Sequence, residues 1–343
     1  MRILIDVMGA DKAPEELIRG VAQAYGKTSS KIIIAGDESM IKEALQKCDA
    51  DASDFEILHC EQVITMEDNP RSAVREKKNS SMAKGLRYVA EGNADAYVGA
   101  GSTGALFASA TYIIKPIKGI RRAAIATVLP LQKPLLLLDS GANLSVSGEF
   151  AEQFAIMGSL YAKHILNVNS PKVGVLNNGS EEHKGTLSAL EMHAALKGCE
   201  DIDFIGNVEG KDVPFGVCDV LVTDGFTGNI VLKYTEGLAS FFMDRLKGVF
   251  TSGIASKLAY LMVKSELKKM KKDFSASQYG GAPFIGLSKP VIKAHGSSDG
   301  EAIKNAILQA ESFYNSGLTD IIAEKASKNV KVRQRLEKSC EEG

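Results

Sequence analysis

The sequence predicts an α/β fold in which a doubly wound, mostly parallel sheet has helices on both faces, an α/β/α arrangement. Short apolar runs rich in β-branched residues recur along the chain, and segments with helical spacing lie between many of them. This alternation is typical of βαβ units and therefore of parallel sheets. The runs are continuously apolar, as expected for strands that are buried on both faces.

Nine of these runs are predicted to be strands, at residues 2–7, 31–36, 55–60, 95–100, 123–129, 134–139, 172–177, 219–224 and 290–294. Helical spacing predicts helices over 14–26, 38–48, 72–91, 148–165, 187–198 and 298–316. The stretch 238–274 has no strand pattern and is predicted to form one long helix or two, interrupted near Gly248 and Gly253. Because no repeat or linker divides the chain, we expect one unit over 1–330 and a charged tail at 331–343.

Composition and charge narrow the class of protein. The 343 residues are 45% hydrophobic and 24% charged, which is typical of a globular protein. A formal net charge of -1 gives no overall attraction to nucleic acid, so no nucleic-acid partner is expected. The cysteines are scattered without CxxC spacing, which predicts neither disulfides nor a zinc site and fits a reducing compartment. They are Cys48, Cys60, Cys199, Cys218 and Cys340.

The first residues of the chain and the lengths of its apolar runs predict where in the cell the protein lies. Asp6 interrupts the first apolar run too early for a signal peptide. No run approaches the roughly 18 apolar residues that are needed to span a bilayer. We therefore expect a cytoplasmic protein that at most lies on a membrane surface.

Glycine-rich or polar loops follow many of the predicted strands, at 6–11, 99–105, 139–143, 177–186, 224–229, 279–283 and 295–300. In a doubly wound sheet the loops at the carboxyl ends of strands gather on one edge, where ligands bind. The loops at 99–105 and 295–300 lead into helices and have the composition of anion-binding helix starts. Each single loop is also compatible with a tight turn that carries a Ser or Asp cap. Together they predict a binding edge.

Several familiar site motifs do not occur in the sequence. No GxGxxG is followed by an acid about 20 residues later, and no GxxxxGK[ST], GxSxG or HExxH is present. Nothing therefore supports a nicotinamide cofactor, a Walker-type ATP site, a serine hydrolase or a zinc peptidase, and no cofactor or metal is predicted. In "EEHKG", His183 is a candidate proton carrier and Lys184 a candidate anion ligand, with a solvated charged turn as the alternative. His295 is a candidate ligand or a simple cap.

Two segments concentrate positive charge. Residues 69–82 hold Arg71, Arg75, Lys77 and Lys78, which suit a phosphate or an acidic protein, with a solvated helix face as the alternative. Residues 244–273 hold eight basic and three acidic residues, a local charge of +5, beside apolar residues at three- and four-residue steps. Such a helix can lie on an anionic membrane. The alternative is an amphipathic helix packed on its own core or on a dimer partner.

The loops taken together resemble one bacterial family. "DVMGAD", "NSSM", "GAGSTGALFA", "LDSGAN", "GNVEG", "DGFTGNIVLK", "YGGAP" and "KAHGSSD" occur in this order. This set is similar to that of the bacterial phosphate acyltransferases, the acyl-[acyl-carrier-protein]:phosphate transacylases. The resemblance runs from residue 2 to about residue 310.

This resemblance implies a reaction, a fold and partners. The reaction transfers a long-chain acyl group from acyl carrier protein to inorganic phosphate, and the acyl phosphate then serves a downstream glycerol-3-phosphate acyltransferase in phospholipid synthesis. The fold is expected to be similar to those of isocitrate and isopropylmalate dehydrogenases and of phosphate acetyltransferase. A homodimer that attaches to the membrane through 244–273 is expected, with a basic docking surface for the acidic carrier protein.

The resemblance also implies site residues. Lys184 is expected to hold phosphate and stabilise charge, and Asn229 to donate to the carbonyl or oxyanion. Gly225 and Gly228 are expected to allow a close backbone approach beside Asp224. Further residues expected to line the site are Ser102, Thr103, Asn143, His183, His295 and Ser297.

Two other classes of function remain open from the sequence. One is a soluble enzyme like phosphate acetyltransferase that uses an acyl-coenzyme A donor. The other is a non-catalytic binder or scaffold of lipid synthesis, which would bind the carrier without releasing its thiol.

Overall fold

The computed structural model describes residues 1–70, 73–273 and 279–328. In these residues eleven strands form a single sheet. The strands are β1 (Arg2–Asp6), β2 (Lys31–Gly36), β3 (Glu56–His59), β4 (Ala96–Gly99), β5 (Ala124–Pro130), β6 (Pro134–Leu138), β7 (Lys172–Asn177), β8 (Asp203–Glu209), β9 (Val220–Val222), β10 (Ala282–Ile285) and β11 (Val291–Lys293).

The helices lie between these strands and after them. They are α1 (Glu15–Ala24), α2 (Glu38–Lys47), α3 (Ala73–Glu76), α4 (Ser81–Ala90), α5 (Thr103–Ile113), α6 (Gly148–His164), α7 (Leu187–Lys197), α8 (Gly225–Thr251), α9 (Ile254–Asp273) and α10 (Gly300–Asn315). Residues 318–328 are also helical. Among the helices of the described ranges, none is both long and apolar enough to cross a membrane.

The strand order is β3-β2-β1-β4-β11-β10-β5-β6-β9-β7-β8. Strands β1 to β4 and β11 are mutually parallel, and so are β6, β9, β7 and β8. Between these two groups, β10 is antiparallel to both β11 and β5, and β5 is antiparallel to β6. The two groups of parallel strands therefore run in opposite directions.

Alternate side chains of the central strands enter different cores on the two faces of the sheet. Ile3 and Ile5 of β1 are buried with residues of α1 and α10, whereas Leu4 is buried with residues of α4 and α5. In β6, Leu136 and Leu138 pack with residues of α6 and α7 on one face, and Leu135 and Leu137 pack toward α8 on the other. The predicted α/β class with a mostly parallel sheet and covering helices is confirmed.

All nine predicted strands are present, and two further strands were missed. β8 is only partly buried and pairs with β7 through a register shift near Gly174, so its apolar pattern is broken. β10 is four residues long, contains Pro283 and follows two glycines, and these features led to the prediction of a loop at 279–283. Its strand conformation depends on pairing with β5 and β11, which are distant in the sequence.

The prediction of one helix over 72–91 was wrong. Two helices, α3 and α4, lie there, and the break falls at residues 77–80. Ser80 is extended, with ψ 153°, forms a bridge with Gln62, and its side chain accepts a hydrogen bond from the N–H of Ala83. A new helix therefore begins at Ser81 with its own cap.

The segment predicted as one or two helices is a pair of helices, and it begins earlier than expected. α8 already starts at Gly225 and continues past Gly248, and the chain leaves helix only between Thr251 and Ile254. Phe250 of α8 contacts Tyr260 of α9, with their ring centroids 5.9 Å apart. Most of this pair of helices is exposed. The predicted tail at 331–343, Cys340 and Phe274 lie outside the described residues.

Candidate active site

A cleft of about 750 Å³ opens where the strand direction changes. Residues from both groups of parallel strands line it. Thr103 follows β4 and His295 follows β11, whereas Ser140 and Gly141 follow β6 and Asn229 follows β9. The expectation that all strand-end loops meet on one edge was wrong, because the two groups run in opposite directions. The cleft between the groups brings part of each loop set together.

One face of α8 forms a wall of this cleft. Asn229, Leu232, Lys233 and Glu236 follow helical spacing and all line it. Lys233 Nζ is 2.9 Å from a carboxylate oxygen of Glu236, so these two charges offset each other. This leaves the carboxamide of Asn229 and the apolar Leu232 as the other groups that α8 presents to the cleft.

The start of α8 packs closely on the loop after β6. The N–H of Gly225 donates to the carbonyl of Asn143 at 2.7 Å. A Cβ at Gly228 would lie 2.0 Å from the carbonyl oxygen of Asp139, and one at Gly225 would lie 2.8 Å from the backbone nitrogen of Asn143. The close backbone approach predicted for these glycines is therefore an approach to the protein's own loop, and it fixes where Asn229 stands.

Asp139 organises that loop. Its carboxylate accepts from the N–H groups of Ile125, Gly141, Ala142 and Asn143. Burial raises the pKa of Asp139, while these hydrogen bonds act in the opposite direction. The Asp139 carboxylate is therefore the hydrogen-bond acceptor for four backbone N–H groups around this loop.

Asn143 and Asp224 support the site from behind rather than line the cleft. The Asn143 amide is buried and donates to the carbonyl of Ala123 at 2.9 Å and to Asp139 at 2.8 Å. Asp224 caps α8 by accepting from the N–H and the hydroxyl of Thr227, both at 2.8 Å. These contacts occupy the polar atoms that the sequence analysis expected to contact substrate.

The loop after β4 places the start of α5 at the cleft. Ser102 is buried and caps the helix by accepting from the N–H of Ala105 at 3.5 Å. Thr103 and Gly104, the first two helical residues, line the cleft. Because the first N–H groups of a helix have no acceptor within the helix, this end favours an anion or a polarised oxygen.

His295 and Ser297 lie together on the opposite rim. The Nδ1 atom of His295 is 2.8 Å from the Ser297 hydroxyl and accepts from the Ser297 N–H at 3.3 Å. Loss of hydration lowers the pKa of His295, and the charge of Lys233 lowers it further. Since Nδ1 is the acceptor, the neutral ring carries its proton on Nε2 and can donate from there.

Lys293 is a cleft residue that the sequence analysis missed. It is the last residue of β11 and is only 7% exposed. Burial lowers the pKa of its ammonium to about 8, and Lys233 adds to the effect. Lys293 lies inside the predicted strand 290–294, and the sequence analysis therefore did not include it among the candidate site residues. A lysine at the end of an otherwise apolar strand was the signal that was available.

His183 and Lys184 do not lie on the wall of this cleft. They are exposed on the loop after β7, at the same sheet edge as the loops after β6 and β9. The Asn177 amide donates to the carbonyl of Lys184 at 3.0 Å, and the Asn207 amide donates to that of Glu181 at 2.8 Å. The loop is therefore fixed at two points beside the start of α8.

Two of the basic residues at 69–82 make structural contacts, and Lys78 is exposed. Lys77 pairs with Asp68 at 2.6 Å and also donates to the carbonyl of Val63. The Arg75 guanidinium lies over the Tyr112 ring, 5.7 Å from its centroid. Arg71 lies outside the described residues.

Residues suited to holding a metal do not cluster here. In the parts of the chain that the structure describes, no group of three or more His, Cys, Asp or Glu side chains is arranged to bind an ion. The charged groups of the cleft are instead lysines, the paired Glu236 and Asp299, which caps α10 by accepting from the N–H of Ala302 at 2.9 Å.

The α/β fold is similar to that of solved phosphotransacetylases. A phosphotransacetylase from Streptococcus pyogenes superimposes with a TM-score of 0.60 at 19% identity, over 91% of this chain and 94% of that one. The EutD phosphotransacetylase from Staphylococcus aureus gives 0.59 at 18% identity, over 90% and 94%. A putative 4-hydroxythreonine-4-phosphate dehydrogenase from Salmonella typhimurium gives 0.53 at 12% identity, over 91% and 98%. At these identities the likeness shows the fold alone.

The sequence itself identifies the family. The model of a family described as "Fatty acid synthesis protein" matches residues 1–320. A protein from Clostridium novyi named "Phosphate acyltransferase" is 43% identical over 324 residues, which cover 94% of this chain and 97% of that protein. One of the same name from Halothermothrix orenii is 42% identical over 334 residues, 96% and 99% of the two chains. The chain belongs to this family and is an enzyme of the acyltransferase class.

Proposed function

We propose that the protein transfers a long-chain fatty acyl group from acyl-[acyl-carrier-protein] to inorganic phosphate. The acyl phosphate would then supply phospholipid synthesis through a glycerol-3-phosphate acyltransferase. The observation that carries this proposal is the cleft at the strand reversal, which the Asn229 carboxamide, the start of α5 and apolar strand residues all line. The names of the curated relatives support phosphate as the acceptor.

The reaction needs no enzyme nucleophile. An oxygen of hydrogen phosphate attacks the thioester carbonyl carbon, a C–O bond forms, and the C–S bond breaks. The electron pair of that bond leaves with the carrier sulfur, which takes the proton that hydrogen phosphate brought, so that free thiol and acyl phosphate result. The protein's task is to hold the two reactants in contact and to stabilise the developing oxyanion.

The cleft offers groups for these tasks. The Asn229 amide can donate to the thioester oxygen, and Thr103 with the first N–H groups of α5 can receive phosphate oxygens. Lys184 is proposed to add positive charge from the neighbouring loop. Its ammonium has no ion-pair partner among the described residues, so it is free to bind an anion.

Apolar side chains form the remaining surface for the acyl chain. Ile125 and Val128 of β5, Leu232 of α8 and Ala282 of β10 line the same cleft. A thioester with its carbonyl near Asn229 would place its first methylenes on these residues, whose burial is favourable by about 0.8 kcal/mol per CH₂.

The pair formed by His295 and Ser297 raises the alternative of an acyl-enzyme. The two residues are only two positions apart, and the Ser297 N–H contacts the same ring nitrogen as its hydroxyl. This is the geometry of a local turn, and within the described part of the chain no hydrogen bond orients the ring from its other side. Direct attack by phosphate is therefore the simpler route, with His295 as a donor to substrate.

Phosphate-dependent release of carrier thiol tests the function. Purified protein is incubated with long-chain acyl carrier protein, with and without inorganic phosphate, and free thiol is followed with a thiol-reactive dye. We expect release only with phosphate, together with stoichiometric acyl phosphate. Acetyl-coenzyme A in place of the acyl carrier should give much slower release. Preference for acetyl-coenzyme A would favour a phosphate acetyltransferase-like enzyme, and carrier binding without any release would favour a scaffold.

A further inference from the structure

The ammonium group of Lys293 is held at the junction of two strands. It donates to the carbonyl of Ala100 at 3.2 Å and also to the carbonyl of Ala294. Ala100 follows β4 and precedes the Ser102 cap of α5 by two residues, so the ammonium lies beside the loop that leads into this helix. An ammonium has three N–H donors, and the two carbonyls account for two of them.

In the described parts of the chain, no carboxylate lies within ion-pair distance of this buried cation. Among the described residues, none forms an ion pair with Lys293. The acidic residues around the cleft have other partners: Glu236 pairs with Lys233, and Asp299 caps α10. Asp11 acts on Lys293 only at longer range and less strongly than Lys233. A buried charge without a counter-charge is costly, and a bound anion would relieve the cost.

The start of α5 adds to the positive potential beside Lys293. Thr103 and Gly104 open an eleven-residue helix at the cleft, and their N–H groups lie at its positive end. Lys233 and the Nε2–H of His295 lie on the same cleft, and both Lys233 and Lys293 lower the pKa of His295. A buried cation, a helix start and the His295 donor thus line one cleft, and the carboxylates of this cleft in the described residues, Glu236 and Asp299, already have partners.

We propose that Lys293 is the buried cation that binds the phosphate substrate, with the first N–H groups of α5 and the Thr103 hydroxyl holding its other oxygens. The inference rests on the proposed function, because it assigns the place of the attacking reactant in that reaction. Phosphate then lies on the side of the cleft opposite Asn229, with the thioester carbonyl between them. The exposed Lys184 is left to the carrier side of the reaction or to charge stabilisation at the rim.

The same contacts allow a purely structural role, in which Lys293 only joins the ends of β4 and β11. The two roles predict opposite responses. A lysine that joins strands is stabilising, so its replacement lowers the melting temperature and leaves phosphate binding unchanged. A buried cation that awaits an anion is strained, so Lys293→Met should keep or raise the melting temperature without phosphate.

Equilibrium dialysis with radiolabelled inorganic phosphate at constant ionic strength separates these roles without any need for turnover. The unaltered protein should bind phosphate saturably near neutral pH. Lys293→Met should weaken binding about 10- to 100-fold, the value of a hydrogen bond to a charged group. Lys42→Met is the matched control, because Lys42 pairs with Glu38 on the surface of α2, and its Kd should equal that of the unaltered protein.

The outcomes distinguish this inference from the reaction on which it rests. Phosphate binding by Lys293→Met within about twofold of the unaltered protein overturns the role of Lys293 but leaves the phosphate reaction standing. An unaltered protein that binds no phosphate and releases no carrier thiol overturns the reaction, and the inference falls with it.

The pH dependence of the unaltered protein gives a second measurement that does not depend on folding of the variant. Inorganic phosphate is already a dianion near pH 8, so a change above that pH reports on the protein. Because the pKa of Lys293 is about 8, phosphate affinity should fall by several-fold between about pH 8 and about pH 9.5, as the ammonium loses its proton. Affinity that stays constant across this range overturns the proposal.

Discussion

The absence of a Cβ atom at two glycines determines the position of Asn229. The helix that carries it can start only where Gly225 and Gly228 allow its backbone to touch the loop of Asp139 and Asn143. A methyl group at Gly228 would overlap a backbone carbonyl oxygen, which cannot move without the loop. The glycines that the sequence presents as part of a ligand loop therefore pack on the protein's own loop and fix the carboxamide next to them.

Removal of the Asn229 carboxamide should lower turnover while the protein stays folded. Loss of one donor to a developing oxyanion costs about 10²- to 10³-fold in kcat, so we expect Asn229→Ala to lose that much. Lys184→Ala should also lose most of its turnover, through weaker charge stabilisation. The rate of phosphate-dependent thiol release measures both effects, and a melting curve checks the fold. Near-normal rates in either variant would remove that residue from the site, and Lys42→Ala serves as the lysine control.

At the scale of elements, α8 joins the candidate active-site cleft to the projecting helix α9. A helix of 27 residues is about 40 Å long, and α8 begins at the cleft and ends where α9 turns back. α9 packs Tyr260 on α8 and leaves Ile254, Leu258, Leu261 and Met262 exposed at three- and four-residue steps. Lys257, Lys264 and Lys268 follow the same spacing beside this apolar stripe.

We propose that the apolar stripe of α9 attaches the protein to anionic membranes. Leu258 and Leu261 are 60% and 67% exposed, and burial of each in a membrane surface is favourable by about 1.5–3 kcal/mol. Leu258→Glu and Leu261→Glu should each lower co-sedimentation with anionic liposomes about tenfold or more. Ala259→Glu adds the same charge at an exposed position outside the stripe and should bind nearly as the unaltered protein does. Unchanged binding of both leucine variants would assign the stripe to a protein contact instead.

At the scale of the whole molecule, the first part of α8 has an apolar face that the described residues leave exposed. Phe226, Ile230 and Tyr234 lie on this face and are all more than half exposed. They lie next to the helix face that lines the cleft, because Phe226 and Ile230 precede Asn229 and Lys233 by three positions each. A second copy of the chain is our proposed cover, in keeping with the homodimer that the family resemblance implies.

Light scattering after gel filtration tests this arrangement. The unaltered protein should elute with the mass of two chains, and Ile230→Glu should shift the mass toward one chain, because a buried unpaired carboxylate is costly. Gln46→Glu adds the same charge to exposed α2 and should leave the mass unchanged. A dimer that survives Ile230→Glu would place the interface elsewhere.

The sequence by itself determined the class of fold and the inventory of loops. Buried strands need continuous apolar runs, and helices between them need apolar residues at helical spacing. Both patterns can be recognised within a short stretch of sequence. The nine runs predicted to be strands are therefore strands in the structure. The family resemblance rested on the same local loops, and it is confirmed over residues 1–320.

Only the tertiary structure decided which loops meet. β10 has little pattern of its own, yet its pairing with β5 and β11 joins the two parts of the sheet. Together with the antiparallel β5–β6 pair, it leaves the two groups of parallel strands running in opposite directions, and Thr103 and Asn229 line one cleft between them. Strand direction depends on pairing between distant segments, which local periodicity does not encode. For the same reason the sequence shows Lys293 only as part of a predicted strand. The folded chain shows that its ammonium group is buried beside the start of a helix, with no ion-pair partner among the described residues.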